Sequence, residues 1–87
     1  MKRRPARRRA RMRFVGALDP VAFARFAARR AALLQVEALW GPAESRAFEC
    51  EVAGAPEMVD AFEMACWLGP PGAMIASVER QWTEDEP

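Results

Sequence analysis

Residues 54–82 read GAPEMVDAFEMACWLGPPGAMIASVERQW and contain the clearest structural pattern in this 87-residue chain. Pro56 favours the start of a helix, because the first helical turn does not need the N–H that proline lacks. The residues predicted to face inward from this helix, at helical spacing, are Val59, Phe62 and Cys66. Gly69 is predicted to end the helix, and residues 73–82 predict a strand.

The first part of the chain predicts a similar unit in the opposite order. Residues 11–15 alternate polar and apolar side chains, which is typical of a half-buried strand. Asp19 is suited to cap a helix over residues 21–34, with Pro20 at the first helical position. The side chains on the apolar stripe of that helix are Phe23, Phe26, Ala27 and Leu34.

The middle of the sequence predicts a hairpin, with a strand over residues 36–40 and a loop over residues 41–45. The second strand of the hairpin alternates apolar Phe48, Cys50 and Val52 with acidic Glu49 and Glu51. The complete order is β-α-β-β-α-β. This order predicts an α+β, ferredoxin-like sandwich, in which two helices cover one face of an antiparallel sheet.

The composition predicts one small globular domain. Hydrophobic residues make up 52% and charged residues 29% of the chain, which is ordinary for a folded protein and excludes a disordered one. The apolar runs are too short to cross a bilayer, and Arg11 and Arg13 interrupt any apolar segment of a secretory signal. We therefore expect no membrane contact and a cytoplasmic location.

Charge is distributed unevenly along the chain. Eight of the 13 basic residues fall in the first 13 positions: Lys2, Arg3, Arg4, Arg7, Arg8, Arg9, Arg11 and Arg13. The remaining residues hold 5 basic and 12 acidic groups, a net charge of −7. The predicted organisation is a disordered basic arm at 1–10, a folded domain at 11–83 and an acidic tail at 84–87.

The two cysteines, Cys50 and Cys66, lie in apolar-patterned segments, and the chain has no histidine. A Cys/His zinc site or a Cys-His nucleophile is therefore excluded, and no metal or cofactor is predicted. Both cysteines are expected to be buried free thiols, with a disulfide as the alternative. The tryptophans Trp40, Trp67 and Trp82 indicate either an interaction surface or partial burial against the core, and the size of the domain favours burial.

The helix, the Gly69-Pro70-Pro71-Gly72 turn and the last strand resemble the C-terminal half of an acylphosphatase, and the resemblance extends over residues 11–82. It implies hydrolysis of the carboxyl–phosphate bond of acyl phosphates. In that family the first strand-to-helix turn has the pattern Gly-x-Val-Gln-Gly-Val-x-Phe/Tyr-Arg. Its backbone N–H groups and arginine hold a phosphate, and an asparagine on the second strand positions the attacking water.

The corresponding anion loop here consists of Gly16, Ala17, Leu18, Asp19, Pro20, Val21, Ala22, Phe23 and Ala24. Only the glycine at 16, the valine at 21 and the aromatic residue at 23 match the family pattern. Asp19 replaces glutamine and adds negative charge, and Pro20 replaces glycine and removes an N–H donor. Ala24 stands where the phosphate-binding arginine is expected. The asparagine aligns near Gly41 or Pro42, and the chain contains no asparagine at all.

Arg25 is the nearest candidate to replace the missing arginine. One helical step rotates a side chain by about 100 degrees, so Arg25 is expected to point away from the loop. The favoured interpretation is a solvated arginine beside Arg29 on the outer face of the helix.

The basic arm suggests binding to nucleic acid or to an acidic protein, through Lys2, Arg3, Arg4, Arg7, Arg8 and Arg9. Pairing of the arm with the acidic surface of the same chain is the competing interpretation. The leading hypothesis is an acylphosphatase-like domain with an impaired site that acts as a binding or interaction module. The alternatives are an active acylphosphatase that binds acyl phosphate or phosphate, and a polyanion-binding protein.

Overall fold

A computed structural model describes residues 7–83 of the chain. Its elements in chain order are β1 (Arg8–Ala17), α1 (Pro20–Leu34), β2 (Glu37–Ala43), β3 (Ala47–Gly54), α2 (Pro56–Leu68) and β4 (Met74–Thr83). Residues 1–6, which contain most of the predicted basic arm, and the predicted acidic tail at 84–87 lie outside the described residues.

The four strands form one antiparallel sheet in the order β2-β3-β1-β4. Both helices cover the same face of the sheet, and the core lies between the two layers. The predicted ferredoxin-like α+β sandwich is therefore confirmed, and β1 is a central strand with a neighbour on each side.

The structure moves two of the predicted boundaries. β1 begins at Arg8, whereas the sequence assigned residues 8–10 to the arm. Arg8 pairs with Gly54 of β3, and Arg9 and Ala10 pair with both neighbouring strands, for example Arg9 with Ala53 of β3 and with Thr83 of β4. β2 ends at Ala43 and so extends through part of the predicted loop, although its pairing becomes irregular after Trp40.

The core contains the predicted apolar faces of both helices. Phe23 and Ala27 of α1 are fully buried, and so are all three residues predicted to face inward from α2. They pack on Ala10, Met12 and Phe14, the alternate residues of β1 that point toward the helices. Phe26 is only half-buried, and the guanidinium of Arg30 lies over its ring.

The predicted ends of the helices are also confirmed. The carboxylate of Asp19 accepts hydrogen bonds from the first turn of α1, and Pro20 occupies the first helical position. α1 ends at Leu34, and the residue that caps it, Gln35, has a left-handed φ of 57°. α2 ends at Leu68 and is capped by the predicted Gly69, which has a positive φ of 70° that glycine tolerates best.

Gly16 is required by close packing between the backbones of β1 and β4. A Cβ atom at this position would overlap the carbonyl oxygen of Met74 and lie 2.8 Å from the Cα of Ile75. The pairing of β1 with β4 shifts register between Val15 and Gly16. The absence of a side chain lets the two strands approach at this irregularity.

We expect Gly16→Ala to lower the free energy of unfolding by about 3 kcal/mol, because a methyl group cannot fit without moving β4. Gly72→Ala is the matched control. Gly72 has a φ of 93° but no atom within 4 Å of a built Cβ, so its replacement should cost only about 1–2 kcal/mol of backbone strain. Urea unfolding of both variants measures the difference, and equal losses would contradict the steric explanation.

Candidate functional site

The anion loop lies between the end of β1 and the first turn of α1, against the turn that connects β2 to β3. The N–H of Gly16 donates to the carbonyl oxygen of Arg46, and the N–H of Leu18 donates to that of Ser45, each at 3.0 Å. Leu18 itself is buried in the core. Two backbone donors of the loop are thus used to join it to the neighbouring turn.

The remaining donors at the start of α1 are taken by Asp19. Its Oδ1 accepts the N–H of Val21 at 3.0 Å and the N–H of Ala22 at 3.1 Å. The N–H of Phe23 donates to the backbone oxygen of Asp19 at 2.9 Å, and Pro20 has no N–H. The positive end of a helix is the place where a phosphate binds in many proteins, and here a carboxylate of the chain itself occupies it.

The three loop residues that match the family pattern have different structural roles. Phe23 is fully buried, and its ring centroid lies 5.9 Å from that of Phe14 and 4.9 Å from that of Phe48. Gly16 is explained by the contact with β4. Val21 is 64% exposed and contributes little to the core. Packing therefore accounts for two of the three matches without any ligand.

Among residues 7–83, no guanidinium is fixed at the loop by an ion pair. Ala24 is half-buried and packs against the core. Arg25 is exposed and, within the same residues, takes part in no salt bridge. Arg46 is a second exposed arginine beside the loop, brought there by its backbone hydrogen bond to Gly16.

Arg46 was not among the site residues predicted from the sequence, because its position depends on contact between two turns 30 residues apart. The positions aligned with the water-positioning asparagine, Gly41 and Pro42, are exposed residues of β2. Neither has a side-chain hydrogen-bonding group. In the part of the chain that the structure describes, no group of three or more cysteine and acidic side chains could hold a metal ion.

The basic residues predicted to bind polyanions fall into two groups. Lys2, Arg3 and Arg4 lie outside the described residues. Arg7 contacts Glu37 of β2 at 3.4 Å, and Arg9 contacts Glu51 of β3 at 3.6 Å. The guanidinium carbon of Arg8 lies 4.3 Å from the centre of the Trp82 ring.

Further arginines of β1 form ion pairs with carboxylates on the face of the sheet that is not covered by helices. Arg11 contacts Glu51 at 4.0 Å, and Arg13 contacts Glu49 at 3.3 Å and Glu79 at 3.9 Å. Exposed pairs of this kind contribute about 0–1 kcal/mol each. Their main effect is to neutralise the positive charge of β1, so the described arginines present less free charge than the sequence suggested. Polyanion binding stays a prediction.

Both cysteines are buried and free, as predicted. Burial raises the pKa of Cys50 from 9.0 to about 12. The pKa of Cys66 is raised as well, first by burial and then by the neighbouring Cys50. Because the thiolate is the reactive form, neither residue is suited to act as a nucleophile.

The three tryptophans differ in their surroundings. Trp40 is 46% exposed, with its ring 6.0 Å from that of Phe48. Trp82 is half-buried, and its indole lies between Arg8 and Arg80, whose guanidinium carbon is 4.5 Å from the ring centre. Trp67, on α2, is 43% exposed. Partial burial against the core is therefore confirmed for Trp82, whereas Trp40 and Trp67 are exposed, and Trp67 leaves an accessible aromatic surface on α2.

Solved structures with this fold include acylphosphatases. The acylphosphatase from Coxiella burnetii has a TM-score of 0.82 and 18% identity, over 93% of this chain and 85% of that chain. The acylphosphatase from Bacillus subtilis has a TM-score of 0.82 and 15% identity, over 91% and 88%. Full-length HypF, in a phosphate- and nucleotide-bound form, has a TM-score of 0.82 and 20% identity over 99% of this chain but only 11% of its own.

A comparison of the sequence with protein-family models found no match, and a comparison with curated proteins also found none. The solved structures alone confirm the predicted resemblance to acylphosphatases, as a similarity of fold. In residues 7–83, neither helix is long and apolar enough to cross a membrane.

We expect Asp19→Ala to lower the free energy of unfolding by about 1 kcal/mol, because it removes the acceptor for two N–H groups of α1. Asp19→Asn is the matched control, since an asparagine oxygen accepts the same hydrogen bonds, and its stability should remain close to that of the wild type. Thermal and urea unfolding measure both. An equal loss in the two variants would mean that the negative charge, and not the hydrogen bonding, stabilises the helix.

The thiols give a prediction about pH. Thiols of the unfolded chain ionise near pH 9, whereas the buried thiols of the folded chain stay neutral. The free energy of unfolding should therefore be unaffected by the thiols below pH 9 and should decrease as the pH rises toward the raised pKa values. The slope should reach about 1.4 kcal/mol per pH unit for each cysteine. The chain has no tyrosine and a single lysine, Lys2, so few other side chains titrate there. Urea unfolding at several pH values should show this slope. The slope should disappear in the double variant Cys50→Ala/Cys66→Ala.

Proposed function

We propose that this chain is an acylphosphatase-fold domain that does not hydrolyse acyl phosphates and that acts as a small binding or interaction module. The observation that carries the proposal is the position of the Asp19 carboxylate. It accepts the two N–H groups of Val21 and Ala22 that an anion would need at the start of α1.

Electrostatics supports this proposal. A phosphate that entered the loop would meet a carboxylate at the same helix N-terminus, so it would have to displace Asp19 from two hydrogen bonds and then lie beside its charge. The loop also offers fewer donors, since Gly16 and Leu18 donate to the neighbouring turn and Pro20 has none. Repulsion and lost hydrogen bonds both oppose phosphate binding.

The chemical step would also lack its usual groups. Removal of one donor that stabilises a reacting oxyanion costs about 3–4 kcal/mol of barrier lowering. Ala24 supplies no guanidinium, and the chain has no asparagine to orient a water molecule. An active acylphosphatase would have to recruit Arg25 or Arg46 from the exposed surface, and neither is held in place by a carboxylate among residues 7–83.

Hydrolysis of benzoyl phosphate tests the proposal directly, because loss of the acyl phosphate is followed by ultraviolet absorbance. We expect the purified wild type to hydrolyse it no faster than buffer does. The companion variant Asp19→Gln/Pro20→Gly/Ala24→Arg restores the family pattern at three positions. It should bind inorganic phosphate more tightly than the wild type, as measured by the increase in melting temperature with phosphate concentration.

Saturable hydrolysis by the wild type would contradict the proposal. In that case Arg25→Ala and Arg46→Ala identify the arginine that holds the phosphate. Arg29→Ala is the control, since Arg29 lies on the same helix as Arg25 and is also exposed. Loss of activity in only one of the first two variants would assign the role.

A further inference from the structure

The arginines of the sheet and those of α1 differ in what they contact. On the sheet, the guanidinium groups of Arg11, Arg13 and Arg80 each lie within 4.0 Å of a carboxylate. The arginines of α1 are Arg25, Arg29 and Arg30. All three are exposed, and within residues 7–83 none of them takes part in an ion pair. Positive charge without a carboxylate partner is therefore concentrated on α1.

The carboxylates closest to α1 in the sequence are engaged elsewhere. The helix itself contains no acidic residue. Asp19 lies at its N-terminal end, where Oδ1 accepts two N–H groups, and Glu37, beyond its C-terminal end, contacts Arg7 at 3.4 Å. In the turn between β2 and β3, Glu44 and Arg46 cancel each other in formal charge. The outer face of α1 thus keeps its positive charge.

The helical spacing places this charge on one continuous surface. Arg25 and Arg29 are four residues apart, so they lie on the same face, about 6 Å apart along the helix axis. Arg30 lies at the border of this face, with its guanidinium carbon 5.1 Å from the centre of the Phe26 ring. The exposed residues between and beside the arginines include three alanines, Ala22, Ala28 and Ala32. Their small side chains leave the guanidinium groups accessible to a large ligand.

The second helix has the opposite charge. α2 contains Glu57, Asp60 and Glu63 and no basic residue. It packs over β1 and β4, whereas α1 packs over β2. The layer of helices therefore has a basic half and an acidic half. An anionic partner would be attracted to α1 and repelled by α2, which restricts it to one side of the molecule.

The density of positive charge on α1 indicates the class of partner. Arg25 and Arg30 are separated by about 7.5 Å along the helix axis, and three cations lie within this length. One strand of duplex DNA carries a negative charge per about 3.4 Å, which is a similar density. Protein surfaces normally mix charges of both signs, so an acidic protein matches this uninterrupted basic face less well. Arginine also binds phosphate through two parallel hydrogen bonds.

We propose that the outer face of α1 binds the sugar–phosphate backbone of nucleic acid, with Arg25, Arg29 and Arg30 in contact with phosphates. The alanines of this face have no side-chain groups that could hydrogen-bond to base edges, so the contact has no sequence preference. The site is separate from the anion loop, whose donors are used within the chain. It is also separate from the basic residues of the predicted arm.

Fluorescence anisotropy of a short labelled DNA duplex of mixed sequence, titrated with the full chain, tests the binding. We expect a dissociation constant on the order of 10⁻⁴ M at physiological salt, with tighter binding as the salt concentration is lowered. Each phosphate contact contributes about 0.9 to the slope of log Kd against log salt concentration. Arg25→Gln/Arg29→Gln should therefore reduce this slope by about 1.8 and raise the Kd at least about tenfold at about 50 mM salt.

Arg11→Gln/Arg13→Gln is the matched control. It removes the same formal charge from exposed arginines of the sheet, which lie against Glu51 and Glu49. Because these arginines are already neutralised and lie outside α1, the slope should stay that of the wild type. All four substitutions are at exposed side chains, so both variants should fold.

A second comparison separates α1 from the arm. Lys2→Gln/Arg3→Gln/Arg4→Gln leaves α1 intact and should retain the part of the salt dependence that Arg25→Gln/Arg29→Gln removes. If this arm variant loses binding while Arg25→Gln/Arg29→Gln binds like the wild type, the assignment to α1 is wrong. An equal reduction of the slope in Arg11→Gln/Arg13→Gln would also overturn that assignment.

No change in anisotropy at millimolar protein and low salt would overturn the inference as a whole. Tighter binding of poly-L-glutamate than of DNA, at equal concentrations of charge, would replace nucleic acid by an acidic protein as the partner. The inference rests on the proposed function, since it names the partner class of the binding module. The two experiments remain distinguishable. Hydrolysis of benzoyl phosphate by a chain that binds DNA through α1 would contradict only the proposed lack of activity, and absence of both would contradict only this inference.

Discussion

The structure depends on the central strand β1, whose two sets of side chains must satisfy different partners. Ala10, Met12 and Phe14 are fully buried beneath the helices. The alternate residues of the strand are arginines that contact the carboxylates of β3 and β4 on the uncovered face. A shift of one residue would bury arginines and expose the core, so the alternation fixes the register of the whole sheet.

The end of β1 determines the form of the anion loop. Gly16 brings the strand against the backbone of β4, and the next residues are tied to the β2–β3 turn by two backbone hydrogen bonds. The chain then enters α1 with its own carboxylate at the helix N-terminus. The loop is thus stabilised by internal contacts, whereas a phosphate site needs unpaired donors that a ligand can satisfy.

Features set by neighbouring residues in the sequence were predictable. The cap at Asp19 and the buried face of α2 follow from helical spacing and from the preferences of aspartate and proline. The start of β1 at Arg8 was not predictable, because an arginine-rich segment resembles a disordered arm until β3 and β4 supply its partners. The absence of an arginine at position 24 was visible in the sequence. The contact of the loop with Ser45 and Arg46 was not predictable, because it forms only when the β2–β3 hairpin folds against the loop.

The pairing of Arg9 with Thr83 brings the two terminal strands of the domain together at one corner of the sheet. The chain therefore enters and leaves the domain at almost the same point, and the stacking of Arg8 on Trp82 holds this corner closed. A domain with adjacent ends can be spliced into a surface loop of another protein without stretching its host. By the same geometry, its ends could be joined by a short linker and new ones opened in a distant turn, with every strand contact preserved.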